Sequence, residues 1–237
     1  MAMKVLDLKQ HDRTLWLLAL ILPITTVCLS WILHQASGEA RTLLVFISET
    51  DHPGPEAWVF KIGFFTTGIV DVLLGWRMYE LLQNDGKKSK TILIPSLITG
   101  LGLIIVAIFR WADYPVMHLI GAIPIFIFGT AWGIAVHRLS PLMDLNNTGT
   151  NIRRISIPMT IIAVAGLFIS FEVGMINYPT QADRMVMMEL SKVTTEMLFA
   201  AGFEWLMFIG FMLTIYSFRW DIIPLQTSEP ESSDHSV

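Results

Sequence analysis

Charge is the first thing this sequence is short of. Aspartate, glutamate, lysine and arginine make up 15% of its 237 residues, against roughly 25% in a soluble domain. The deficit is uneven: long apolar runs alternate with short polar ones, and mean hydropathy is +0.57. That distribution points to a polytopic membrane protein. Cysteine is nearly missing too. Cys28 stands alone, which excludes an intrachain disulfide and a cysteine-ligated metal site. There is no HExxH, no GxSxG elbow and no glycine-rich phosphate loop. No cofactor is therefore expected and no metal site is assigned. The net charge of −4 owes much to the acidic tail and says little about partners; nucleic acid is not expected among them.

Six segments reach the roughly 20 mainly apolar residues that a spanning helix needs. They lie at about 15–34, 58–82, 91–109, 117–137, 155–175 and 195–218. The first run, Leu15 to Leu33, exceeds the roughly 7–15 residues of a signal-peptide core and reads as a retained span. The expected fold class is all-α, a polytopic bundle of six helices over residues 1–219, with a disordered acidic tail at 220–237. The stretch "TLLVFI" (42–47) is too short to span and reads as a strand or an interfacial piece. Gly129 and Gly133 form a GxxxG match that permits close helix approach. Packing inside the bundle is the first reading of that pair, and a homo-oligomer contact the second.

Lysine and arginine set the expected orientation. With the N-terminus inside, the cytoplasmic side holds ten of them: Lys4, Lys9, Arg13, Lys87, Lys88, Lys90, Arg138, Arg153, Arg154 and Arg219. The other side holds four, Arg41, Arg110, Arg184 and Lys192. Both termini are thus expected to be cytoplasmic.

Ionisable residues within spans are costly, so their depth is informative. At about 1.5 Å per residue, Glu172 lies about 5 Å and Glu204 about 12 Å from the outer ends of their spans. Lys61 is one turn below the outer end of the second span, and His118 opens the fourth. Asp71, about 20 Å down the second span, lies toward the cytoplasmic side. The outer connections add Glu49, Asp51, His52, Glu56, Arg110 and Asp113. Together these suggest a polar pocket opening to the outer leaflet. Its expected binding residues are Glu49, Asp51, Glu56, Lys61, Arg110, His118, Glu172 and Glu204. Ion pairs that merely fix helix register are the competing reading. His118 and His137, about 28 Å apart along one helix, cannot share an ion. No catalytic residue is assigned; His118 is the single candidate, as a proton carrier or paired with Ser48 in acyl transfer.

Three stretches carry a family resemblance. "FISETDHPGPEAWVFKIGF", "MHLIGAIPIFIFG" and "FEWLMFIGFMLTIYSF" resemble the first loop, fourth helix and sixth helix of the Frag/DRAM/Sfk superfamily. That superfamily includes damage-regulated autophagy modulators, the post-GPI-attachment factor of GPI-lipid remodelling, and the N-terminal part of a yeast cell-wall-biogenesis factor. The positions carried over are Ile47, Ser48, Glu49, Thr50, Pro55, Glu56, His118, Gly121, Ala122, Glu204 and Trp205. The usual Gly-aromatic-Pro-Pro-Glu-Ser element departs here: Asp51 to Ala57 shift it by one and lack the serine. The resemblance implies a lipid-linked function, in which membrane lipids are bound, organised or remodelled at the extracytoplasmic leaflet. Glu56 and Glu204 would be its anionic anchors, while Lys61 and Arg110 would meet a lipid phosphate or carboxylate. Two other classes stay open: a lipid acyl-transfer or hydrolase enzyme using His118, and a proton-coupled transporter using Asp71, Glu172 and Glu204.

The orientation has a direct test in the sequon at Asn146. With a cytoplasmic N-terminus, Asn146 stays unmodified in a eukaryotic host; a glycan there, seen as an enzyme-sensitive mobility shift, reverses the topology.

Overall fold

In hydrocarbon every backbone N–H and C=O needs a partner within the protein, so apolar runs of this length must be helical. The computed structural model describes residues 11–83, 90–140, 147–178, 180 and 194–222. The tail beyond residue 222 and the sequon at Asn146 lie outside the described residues. Among them, six helices are long and apolar enough to cross a membrane. These are α1 (Asp12–Ser37), α2 (Pro55–Gln83), α3 (Lys90–Ile108), α4 (Pro115–Leu139), α5 (Asn147–Asn177) and α6 (Thr195–Ser217), with a one-turn α7 (Arg219–Ile222) after α6. The chain is an integral, multi-pass membrane protein. Its outer surface suits lipid, with Ile62, Leu101, Val116, Ile155, Ile169 and Ile176 exposed.

Two expectations shift. Helix α5 begins eight residues before the apolar run expected at 155, because Arg153 is buried against α7 rather than marking a loop. Residues 42–47 form no strand. They run as bends and irregular backbone into a short 3-10 helix, Ile47–Thr50.

The most extensive pairings are α1 with α2, α2 with α3, α3 with α4, and α5 with α6. The α5–α6 pair reaches the other four through thinner contacts, α5 to α4 and α6 to α1 and α4. Glycines set the tightest approaches. A Cβ on Gly100 would stand 2.5 Å from the Gly68 carbonyl oxygen, and one on Gly102 would stand 2.7 Å from that of Gly121. Backbone contact between α2 and α3, and between α3 and α4, therefore requires the missing side chains. Gly129 and Gly133 face Phe211 and Thr214 of α6, so the close approach they permit lies within the chain.

Both described chain ends meet at one end of the bundle. Arg77 on α2 donates to both carboxylate oxygens of Asp12 on α1, at 2.6 and 2.9 Å. The Trp16 indole N–H donates to the Ile215 carbonyl at 3.1 Å. Arg153 is fully buried and donates to Asp221 at 2.5 Å and to the Ser217 hydroxyl at 3.1 Å. Asp221 falls in the segment expected to be tail, yet this pair holds it in α7.

A buried charge stripped of its partner is far costlier than the pair is stabilising. Arg153→Met should destabilise the protein by about 3–5 kcal/mol, and adding Asp221→Leu should recover most of that loss. Thermal unfolding in detergent reads both.

Candidate functional site: an apolar cavity beneath a buried loop

The loop between α1 and α2 folds back into the end of the bundle, and Val45, Phe46, Ile47, Glu49, Thr50 and Asp51 are all buried. Irregular backbone survives at such a place only if side chains satisfy its polar groups. They do so nearly residue by residue. Gln35 donates to the Thr42 carbonyl at 3.0 Å, Trp31 to Leu43 at 3.1 Å, and Trp205 to Val45 at 2.8 Å. Glu49 accepts from the Phe46 N–H at 2.7 Å, and Glu204 from the Ile47 N–H at 2.6 Å. Thr50 donates to the Ile47 carbonyl at 2.6 Å and lies 3.0 Å from the Ser30 hydroxyl. Arg41 pairs with Glu49 at 2.8 Å, both side chains buried. Burial nonetheless pushes the Glu49 carboxyl above its usual range, against the pull of Arg41 and the Phe46 N–H.

Beneath this loop lies a cavity of about 120 Å³ bounded by α1, α2, α3, α4, α6 and the 3-10 helix. Its walls are mainly aromatic and aliphatic, among them Phe60, Phe64, Leu103, Trp132, Phe208 and Phe211. A second cavity of about 50 Å³ adjoins it and shares Ser48, His118, Ala122, Phe126 and Glu204. The threonines in the main wall turn their hydroxyls onto their own helices: Thr67 donates to Gly63, Thr99 to Pro95 and Thr214 to Gly210. The remaining ionisable or nucleophilic groups are Ser48, His118 and Glu204 at the loop end and Asp71 deeper in. Among the described residues, no lysine or arginine lines either cavity. His118 Nδ1 stands 2.9 Å from the Phe109 carbonyl oxygen. A carbonyl only accepts, so Nδ1 carries the hydrogen, and in the neutral ring Nε2 is the acceptor.

The eight expected binding residues do not converge on one pocket. Glu204, His118 and Glu49 line the cavities, Glu49 only the smaller one. Glu56 is buried beside His34 and His52 instead. Asp51 is buried and feels the charges of Lys61 and Arg110. Arg110 itself donates to Asp113 at 2.6 Å. Glu172 is exposed on α5 and borders neither cavity, so it adds nothing to an acidic floor. A transporter relay through Asp71, Glu172 and Glu204 thus has two members on the main cavity and one outside it. His34, Arg41, Trp31 and Gln35 were not legible as site residues. One signal existed for His34: Thr26, Ser30 and His34 recur every four residues in an apolar span, and all three are buried on one face.

Fold and cavity together define a class, a six-span helical membrane protein with an internal apolar cavity closed by a buried loop. A family model described as the Frag1/DRAM/Sfk1/Cwh43P N-terminal domain matches residues 13–225. The chain belongs to that family. The loop residues Ile47, Glu49 and Thr50 and the pair Glu204–Trp205, which carry its resemblance, are the groups that tie the loop down. No curated protein and no solved structure matches the chain. The described residues able to hold a metal ion lie apart from the cavities, at His34, His52 and Glu56.

Asp51 gives the loop a pH signature. Neither of its oxygens has a hydrogen-bond partner among the described residues, and burial pushes its carboxyl from 3.8 up to about 7 against the pull of Lys61 and Arg110. The folded chain thus keeps a proton that the unfolded chain releases near 3.8. Folding takes up that proton between the two values, so stability falls as pH rises through them. Asp51→Asn should flatten the unfolding temperature of the protein between about pH 4 and pH 7, measured against the wild type in the same detergent.

Proposed function

We propose that the protein binds a lipid chain in the central cavity, with a hydrogen-bond-donating end group beside Glu204 and His118. One observation carries this: the apolar lining runs from His118 to Gly133 on α4 and from Glu204 to Phe218 at the end of α6, a path of roughly 20 Å. Its other ionisable groups gather at the loop end; deeper in stand Asp71, threonines whose hydroxyls bond their own helices, and Trp132, whose indole N–H has no hydrogen-bond partner among the described residues. A long apolar slot with polar groups at one end fits a molecule that is itself apolar with one polar end. The His118 Nε2 and the Glu204 carboxyl can each accept from a hydroxyl, amide or ammonium on the end group. Lys61 and Arg110 lie outside the lining, so the expected phosphate contact gives way to a neutral or cationic head. Such a role agrees with the lipid-linked activity that the family resemblance implies.

A second reading rests on Ser48 and His118, which both line both cavities. In acyl transfer the Ser48 hydroxyl would attack an ester or amide carbonyl while His118 Nε2 takes its proton. The ester C–O or amide C–N bond would then break, leaving an acyl-serine, and His118 would pass that proton to the departing alcohol or amine. The Phe109 carbonyl would hold the ring in the required tautomer.

Native mass spectrometry of gently extracted protein separates these outcomes. Wild type should retain a lipid, and Ala122→Phe, which adds bulk where the two cavities meet, should lose it while remaining folded. No retained lipid in wild type, or equal retention in Ala122→Phe, overturns the proposal. Lipid turnover abolished by Ser48→Ala would move the reading to the enzyme.

A further inference from the structure

We propose that His34, His52 and Glu56 form a zinc site that clamps the two ends of the α1–α2 loop. One ligand atom from each lies within 4.8 Å of the others. His34 Nδ1 and His52 Nδ1 both stand 3.8 Å from the same oxygen, Glu56 Oε1. That distance is too long for a hydrogen bond. It is close to the separation of two atoms bound to one ion, roughly 3.4 Å for zinc bonds of about 2.0–2.2 Å in tetrahedral geometry. Small side-chain rotations close the difference.

The alternative, a set of mutually hydrogen-bonded polar groups, does not account for the nitrogens. Both Nδ1 atoms are buried and neither has a hydrogen-bond partner among the described residues. Ring nitrogens withdrawn from water and left without a partner are costly, and a shared cation bound to both would satisfy them. The His34 and Glu56 side chains are 5% and 2% exposed, while that of His52 is 33% exposed. His52 therefore gives the ion its route in from solvent. Two imidazoles and one carboxylate are a donor set that zinc favours, and three protein ligands leave a fourth position for water.

The chain around the cluster holds the ligands in place. His34 stands in the last turn of α1, which ends at Gly38 in the left-handed conformation. The Ser37 hydroxyl donates to the His34 carbonyl at 2.7 Å. Glu56 is in the first turn of α2, directly after Pro55. Its carboxylate occupies the space that a side chain at position 54 would need: a Cβ on Gly54 would stand 2.5–2.9 Å from the Glu56 carboxyl atoms. The turn Pro53–Gly54 thus leaves room for Glu56 to fold back toward His52. Nothing in the lipid reading is required for this site.

The test uses untagged full-length protein in detergent, stripped with a chelator and titrated with Zn²⁺ or Co²⁺ alone. Wild type should bind about one ion per chain, raise its unfolding temperature with Zn²⁺, and give the visible absorption of tetrahedral cobalt with Co²⁺. His52→Ala, the variant least apt to disturb folding, should lower affinity at least about tenfold and abolish the cobalt spectrum. His34→Gln should do the same. The absence of metal binding and of a thermal shift in wild type overturns the site, and so does undiminished binding in both variants. A stoichiometric ion whose spectrum survives His52→Ala and His34→Gln places it elsewhere and also overturns it.

Discussion

The structure depends on satisfying a stretch of non-helical backbone inside a helical membrane bundle. Between Thr42 and Thr50 the chain has no helical ladder of its own beyond one 3-10 turn, yet most of it is buried. An unmade backbone hydrogen bond there costs about 1–3 kcal/mol, and several at once would expel the loop. The two glutamates, two tryptophans, glutamine and threonine that meet these groups are therefore a structural necessity. Glu204 is the most telling. It sits on α6, far from the loop in sequence, and its acceptor oxygen caps the entry to the 3-10 helix. With the loop held, the bundle has a roof, and the space beneath is enclosed by helices that touch closely on one side and thinly on the other. The cavity is what lies between a roof fixed by hydrogen bonds and a floor fixed by ion pairs.

Charge is handled differently along the bundle. At the end where the chain starts and finishes, Asp12 meets Arg77 and Asp221 meets Arg153. At the loop end Glu49 meets Arg41. Among the described residues, Glu204 and Asp71, on the cavity itself, form no ion pair, and Asp71 Oδ1 has no hydrogen-bond partner. Buried pairs that fix register account for the first three cases. They do not account for Asp71 on the apolar cavity wall, whereas Glu204 both holds the loop and faces the cavity.

The six spans were legible because the length of apolar runs is set by bilayer thickness. Their starts were less so. A buried arginine such as Arg153 looks in sequence like the loop residue it is not. Depth along a helix was read well enough to gather Glu204 and His118, but depth ignores azimuth. On α5, Ser170 and Gly174 are buried and Glu172 lies two residues from each, which turns it about 200° away at 100° per residue. Helical phase alone would have placed Glu172 outside, and the same phase puts Glu204 in line with the buried Ala200, Ala201 and Met207. Arg41 with Glu49, and His34 with Glu56, were hidden for another reason. Each pair joins a helix end or loop to a partner by a turn geometry that local pattern does not encode.

The loop also joins two places that have separate chemistry. Ser48 and Glu49 face the cavities, whereas His52 and Glu56, only a few residues on, face His34. Between them Thr50 is pinned to Ser30 of α1, and Ser30 and His34 stand one turn apart on that helix. The His34 cluster and the roof of the cavity are thus joined by one short, mostly buried stretch of chain. Any ligand at one end that alters affinity at the other would do so equally in both directions. The same burial that makes the loop expensive to accommodate makes it rigid enough to connect the two.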